Sequence, residues 1–195
     1  MIDDLLYLWG YDRQGAIKCS ALNFITDLPR FLVLLLAMQR FQNHHWGLNP
    51  NIDPDFGDLP SSHKMTLRPK QGGEIKFILD LSSKEPVTHF GLNGRATDVF
   101  PVTSEQVHRK DGLVAKVFWA QEARKSEPDI LEEVNKIAER VKDVEGHVPD
   151  MVCYQAFADS STAVIRRRLN ISIDGARILY VIIFRKLKPI TALVG

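Results

Sequence analysis

Lys116 stands in Leu113-Val114-Ala115-Lys116-Val117, an apolar, largely β-branched run with one charge set into it, downstream of a glycine turn at Gly91 to Gly94. An ammonium beside a hydrophobic sheet loses its charge or its position unless a carboxylate holds it. A strand lysine so held is a fixed positive charge, whereas a lysine at a sheet edge would only snorkel to water. Glu127, at the start of the helix that follows, is the best partner, with Ile130 and Leu131 behind it. Ser126 and Pro128 place Glu127 in the first turn, so Glu122 would serve instead if residues 120–125 were also helical. Glu127 alone could simply complement the helix dipole.

Other constellations carry less. Cys19 and Cys153 are the only cysteines and have no cysteine or histidine at ligand spacing, and His44 and His45 are merely adjacent, so zinc is not expected. Arg166, Arg167 and Arg168 read as a solvated helix end, since no wider basic patch or stacking aromatics accompany them.

The elements that must position Lys116 are strands around one clear helix. Leu5 to Phe24 predicts a β-hairpin turning at Tyr11-Asp12-Arg13-Gln14-Gly15. Pro29 to about Arg40 predicts a helix with almost no apolar period, which should be buried on most sides. Gln42 to Ser62 reads as a long polar loop around Trp46. Strands are expected at Lys64 to Leu67, Glu74 to Leu81, Val87 to Phe90, Thr97 to Val102, Leu113 to Trp119, Met151 to Phe157 and Ala176 to Phe184. A short helix ending in the three arginines fits between the last two. From Glu127 to about Val144, Ile130, Leu131, Val134, Ile137, Ala138 and Val141 mark one helical face, with a Ser126/Asp129 capping box and Gly146 as the stop. One long helix among antiparallel strands makes an α+β domain.

Composition is permissive. The chain of 195 residues is 45% hydrophobic with a net charge of +1, so nothing in its bulk charge favours nucleic acid or an anionic membrane. The acidic start is not a signal peptide, and the Phe31 to Met38 run falls far short of the roughly 20 residues a bilayer requires. A reducing intracellular compartment, cytoplasmic or nuclear, fits the sparse cysteines.

The order glycine turn, strand, turn, strand with lysine, helix, strand, strand resembles the small lobe of a protein kinase. In that pattern Lys116 and Glu127 are the catalytic pair, Gly94 to Thr97 lie over the phosphates, and Val99 and Ala115 close over the adenine. The pattern Gly-x-Gly-x-x-Gly-x-Val, aligned on Leu92, Gly94, Thr97 and Val99, keeps only its middle glycine and the valine. Asp55-Phe56-Gly57 spells the magnesium motif but precedes the glycine turn, so it reads as loop. His108-Arg109-Lys110-Asp111 reads as a polar turn, and no His-Arg-Asp with a downstream asparagine occurs.

More specifically, the chain resembles the fungal-type protein kinase family. The segments that carry this are Tyr11-Asp12-Arg13-Gln14-Gly15, Leu28 to Phe41, Trp46-Gly47, Gly94-Arg95-Ala96-Thr97, Leu113 to Lys116, Trp119, Arg124-Lys125-Ser126-Glu127, His147-Val148-Pro149-Asp150 and Phe184 to Ile190. The resemblance implies a kinase-like small lobe over residues 86–195, ending at a hinge near Phe184 to Lys188 where Phe184 would meet adenine. An amino-terminal hairpin-helix extension would occupy residues 1–85. Ala96 stands where members often have a second glycine. ATP is the implied cofactor, with Mg²⁺ only once a carboxy-terminal lobe supplies its ligands, so this chain alone is expected to be catalytically incomplete. The implied partners are that lobe, or a second copy through an unpaired carboxy-terminal strand ending in Ile182, Ile183 and Phe184. The alternative is a non-catalytic kinase-like interaction module.

Overall fold

The computed structural model describes residues 4–46, 62–69, 72–82, 87–88, 94–108, 110–141 and 147–187. The expected motif at residues 55–57, most of the long loop, Gly91, Leu92 and Gly146 lie outside them.

The chain opens with nested antiparallel pairs, β1 (Leu5–Leu6) with β4 (Leu22–Asn23) and β2 (Trp9–Asp12) with β3 (Gly15–Lys18). The turn is built by Asp12, whose Oδ1 accepts from the amides of Gln14 (2.8 Å) and Gly15 (3.1 Å). Gly15 sits at φ +133°, a conformation that only glycine adopts without strain. Asn23 then accepts from the amides of Ile25 and Thr26, leading into helix α1 (Leu28–Gln39) with Pro29 in its first turn.

Helix α1 departs from expectation. None of its residues is buried, and Leu32 and Val33 are 54% and 66% exposed. An all-round apolar sequence says that burial is favourable without saying what provides it. Here the sheet buries its core face against itself, leaving α1 uncovered among the described residues.

The main body is a seven-stranded antiparallel sheet of β5 (Ser62–Leu67), β6 (Ile75–Asp80), β7 (Val87–Thr88), β8 (Asp98–Thr103), β9 (Leu113–Gln121), β10 (Met151–Phe157) and β11 (Arg177–Arg185). Its order is β10-β11-β9-β8-β6-β5, with β7 also on β8. The sheet curls until its ends approach, so that the Arg68 amide after β5 donates to Gln155 Oε1 of β10 at 2.6 Å. Inside the curl lie Met65, Leu67, Phe77, Leu79, Ala115, Val181 and Ile183, all essentially inaccessible to water.

Two expectations change in consequence. Strands β5 and β6, assigned to an extension ending at residue 85, pair into the same sheet and share its core, so no boundary between cores falls there. Strand β11 is paired on both sides, by β9 and β10, and Ile182 and Ile183 are fully buried. The apolar carboxy-terminal edge expected to drive self-association is therefore not an edge. A run as hydrophobic as Leu179 to Phe184 reads equally well as a central strand buried on both faces.

Helix α2 (Glu127–Ala138) and the short α3 (Thr162–Arg168) complete the fold. The Ser126 side chain accepts from the Asp129 amide at 3.3 Å, as the capping box predicts. The helix ends at Ala138 rather than near Val144, where its stripe gives out: Ile137 and Val141 are exposed. Arg166 of α3 is not a solvated cation, because it pairs with Asp12 of the hairpin.

Candidate functional site

Strand β9 sends Leu113, Ala115 and Val117 into the core. Strict alternation then turns Val114, Lys116 and Phe118 to the opposite face, where α2 packs. Phe118 is buried there with its ring stacked on Tyr180, centroids 5.7 Å apart. Lys116 Nζ lies 5.0 Å from the centre of the Phe118 ring and donates to both carboxylate oxygens of Glu127 at 2.7 Å. An ammonium carries three protons, and this bidentate contact occupies two.

Glu127 reaches Lys116 although it is the first residue of its helix. Glu127, Leu131, Val134 and Ala138 are spaced four, three and four residues apart, which is one helical stripe, and each is wholly or partly buried. Glu122, the other candidate, is not in a helix. It accepts from the Ser161 hydroxyl at 3.1 Å and takes no part in the pair.

The neighbouring strands add an apolar lane. Val99 of β8 lies directly opposite Lys116, as does Ile182 of β11, and Phe184 lies opposite Val114. Directly paired residues share a face, so Val99, Val114, Lys116, Ile182 and Phe184 lie together. Ala115 does not belong to this group. Fully buried in the core, it faces away from Lys116, whereas Val114 lies on the Lys116 side of the strand. Counting by twos from Lys116 would have found Val114 and Phe118 in the sequence.

Gly94 and Arg95 are held from two sides. Gly94 sits at φ +108° and donates its amide to the Arg13 carbonyl at the hairpin tip (3.3 Å), while the Arg95 carbonyl accepts from the Trp119 amide (2.7 Å). The Gly94 amide, expected over phosphates, is thus engaged by the hairpin. Ala96 adopts φ +39°, a left-handed conformation that costs a non-glycine residue about 1–2 kcal/mol, and Thr97 beside it is half-buried.

Two tyrosines flank the start of α2. Burial raises the Tyr180 hydroxyl above its ordinary pKa, a hydrogen bond with Ser126 works the other way, and the charges of Asp129 and Glu122 reinforce the rise. Tyr154 is raised by burial and by the charges of Glu132 and Asp129. Both therefore stay neutral near pH 7 and add no charge beside the Lys116–Glu127 pair.

A curled antiparallel sheet whose inner strand carries a lysine clamped by a helix glutamate defines a kinase-like amino-terminal lobe, here with a hairpin-helix extension. The sequence model described as fungal protein kinase matches residues 1–180, and the chain belongs to that family. No curated protein and no solved structure matches the chain. Among the described residues, no helix is long and apolar enough to cross a membrane.

Proposed function

We propose that this chain is the nucleotide-binding small lobe of a fungal-type protein kinase whose full-length form transfers phosphate from ATP to a protein serine or threonine hydroxyl. The observation that carries the reading is the bidentate Lys116–Glu127 contact beside the lane of Val99, Val114 and Phe184. The side chains present suit the nucleotide: apolar surface for a base, and beyond it an ammonium with one uncommitted proton for a phosphate oxygen.

Lys116 would bind the α and β phosphates, and Glu127 would fix its position. The pair is 27% and 32% exposed, where an ion pair contributes at most about 1 kcal/mol to stability, so its value lies in placing the ammonium. Bound ATP would supply the transferable phosphoryl group. Among the described residues no three His, Cys, Asp or Glu side chains group to hold a metal ion, and the 195-residue sequence contains no His-Arg-Asp tripeptide. On this reading the base and the metal ligands for transfer belong to the carboxy-terminal lobe of the full-length form. Calorimetry of the Lys116→Ala variant tests the reading: ATP binding should vanish while the melting transition persists, and undiminished binding would remove Lys116 from the site.

A second reading, a non-catalytic interaction module, is favoured by α1, which bares Leu32, Val33 and Leu36 to solvent. Concentration-dependent association that is indifferent to nucleotide and abolished by Leu32→Glu would support it.

A further inference from the structure

Beyond Lys116, the far end of β9, the Gly94 turn and the start of α2 enclose a cleft of about 370 Å³. Four cations line it: Arg95, Arg124, Lys125 and Arg177. The carboxylate in its wall is Glu127, which Lys116 already engages, and Lys125 pairs outward with Glu133. The three guanidiniums have no carboxylate partner among the described residues.

Local backbone bonds hold two of these arginines in place. The Arg95 carbonyl is fixed by the Trp119 amide at 2.7 Å, and the Arg124 amide donates to the Gln121 carbonyl at 3.1 Å. Arg177 makes a long contact of 3.4 Å from Nη1 to the Trp119 carbonyl, while its Nε is buried without an acceptor. Like charges gathered on anchored backbone repel one another unless an anion shares them. Planar guanidinium forks match a tetrahedral oxyanion better than any neutral ligand.

We propose that this cleft binds the phosphoryl group of a phosphorylated side chain on a protein segment, at a site separate from the nucleotide. Charge favours this occupant, since a phosphate monoester dianion faces three uncompensated guanidiniums. The cleft adjoins Lys116 and runs past it: Phe118 and Glu127 of its wall touch that ammonium, and Ala120 is four residues further along β9, about 13 Å along an extended strand. The space exceeds that of a bare phosphate, and half-exposed Ile130 offers an apolar wall to the carbon atoms that carry it. Its separateness from the nucleotide rests on the reading of Lys116 proposed above, whereas phosphopeptide binding itself does not require ATP.

The test is calorimetric titration of the whole chain with a short phosphothreonine peptide, its unphosphorylated twin, and ATP. The phosphopeptide should saturate, the twin should not, and ATP should leave phosphopeptide binding unchanged. The Arg95→Gln/Arg124→Gln variant should weaken the phosphopeptide by about tenfold or more through lost charge-assisted bonds, while its ATP binding stays that of the parent. Should the glutamine variant melt abnormally, Arg95→Lys/Arg124→Lys, which keeps charge but loses the fork, should show a smaller loss of the same sign. Absence of saturation, equal binding of the twin, or full affinity in both arginine variants would overturn the proposal. Displacement by ATP, or joint loss of ATP and phosphopeptide binding in the glutamine variant, would reduce the two sites to one and overturn it equally.

Discussion

Asp12 and Arg166 lie 154 residues apart in sequence and meet in a two-point ion pair, Nε to Oδ2 at 2.7 Å and Nη2 to Oδ1 at 3.0 Å, with only 10% and 13% of their side chains exposed. The pair pins the hairpin tip to α3, beside Thr162, whose hydroxyl donates to Gln14. The same tip accepts the Gly94 amide through Arg13. The amino-terminal hairpin is thereby a strut under the glycine turn. Removing one member of a well-covered pair strands the other, so Asp12→Ala should cost about 3–5 kcal/mol in denaturant melts. A double-mutant cycle with Arg166→Ala should show strong coupling; additivity would mean that the strut carries no load.

The same pair sets a pH dependence. Burial disfavours the Asp12 charge, but the Arg166 guanidinium and the amides of Gln14 and Gly15 outweigh it and hold the carboxyl below its ordinary value of 3.8. A depressed acid binds fewer protons folded than unfolded, so its stabilisation is complete above the ordinary value and is lost as pH falls through the folded one. Stability should therefore decline more steeply below about pH 4 in the parent than in Asp12→Asn. Parallel acid limbs would contradict the assignment.

Strand and helix burial make opposite predictions for two apolar truncations. Phe77→Ala opens a cavity in the curl of the sheet and should cost about 3–5 kcal/mol. Leu34→Ala, on a helix with no buried residue, should cost less than about 1 kcal/mol. Comparable losses at both sites would show α1 to be covered in solution.

The two cysteines should separate by reactivity. Burial pushes the Cys153 thiol up to about 11, leaving almost no thiolate at neutral pH, whereas Cys19 is exposed. Iodoacetamide should label Cys19 first, as peptide mapping would show. Faster labelling of Cys153 would mean that β10 opens readily.

Much of this arrangement was legible in the residues because local signals agreed with the tertiary result. Asp12 and Gly15 specify a hairpin turn whatever surrounds them, and Ser126, Pro128 and the stripe through Leu131 and Val134 specify a helix start. Lys116 in a β-branched run announced a charge needing a partner, and Glu127 proved to be within reach. What failed depended on long-range packing. The burial of α1 required a covering surface that its composition does not identify. Ile182 and Ile183 read as a strand but not as a central one, since pairing on both sides is a property of topology. Arg166 looked solvated because nothing near it in sequence foretells Asp12. The misplacement of Ala115 was avoidable, because the period of two alone puts it on the face opposite Lys116.

The most direct test of the nucleotide reading is to titrate the chain with ATP, with and without Mg²⁺, while following the amide resonances of Gly94, Val99 and Lys116. The account predicts saturable shifts at Val99 and Lys116, with a smaller response at Gly94 because its amide is engaged by Arg13, all absent in Lys116→Ala. Unmoved resonances up to millimolar ATP would contradict it and leave the Lys116–Glu127 pair a structural contact in a lobe that does not bind nucleotide.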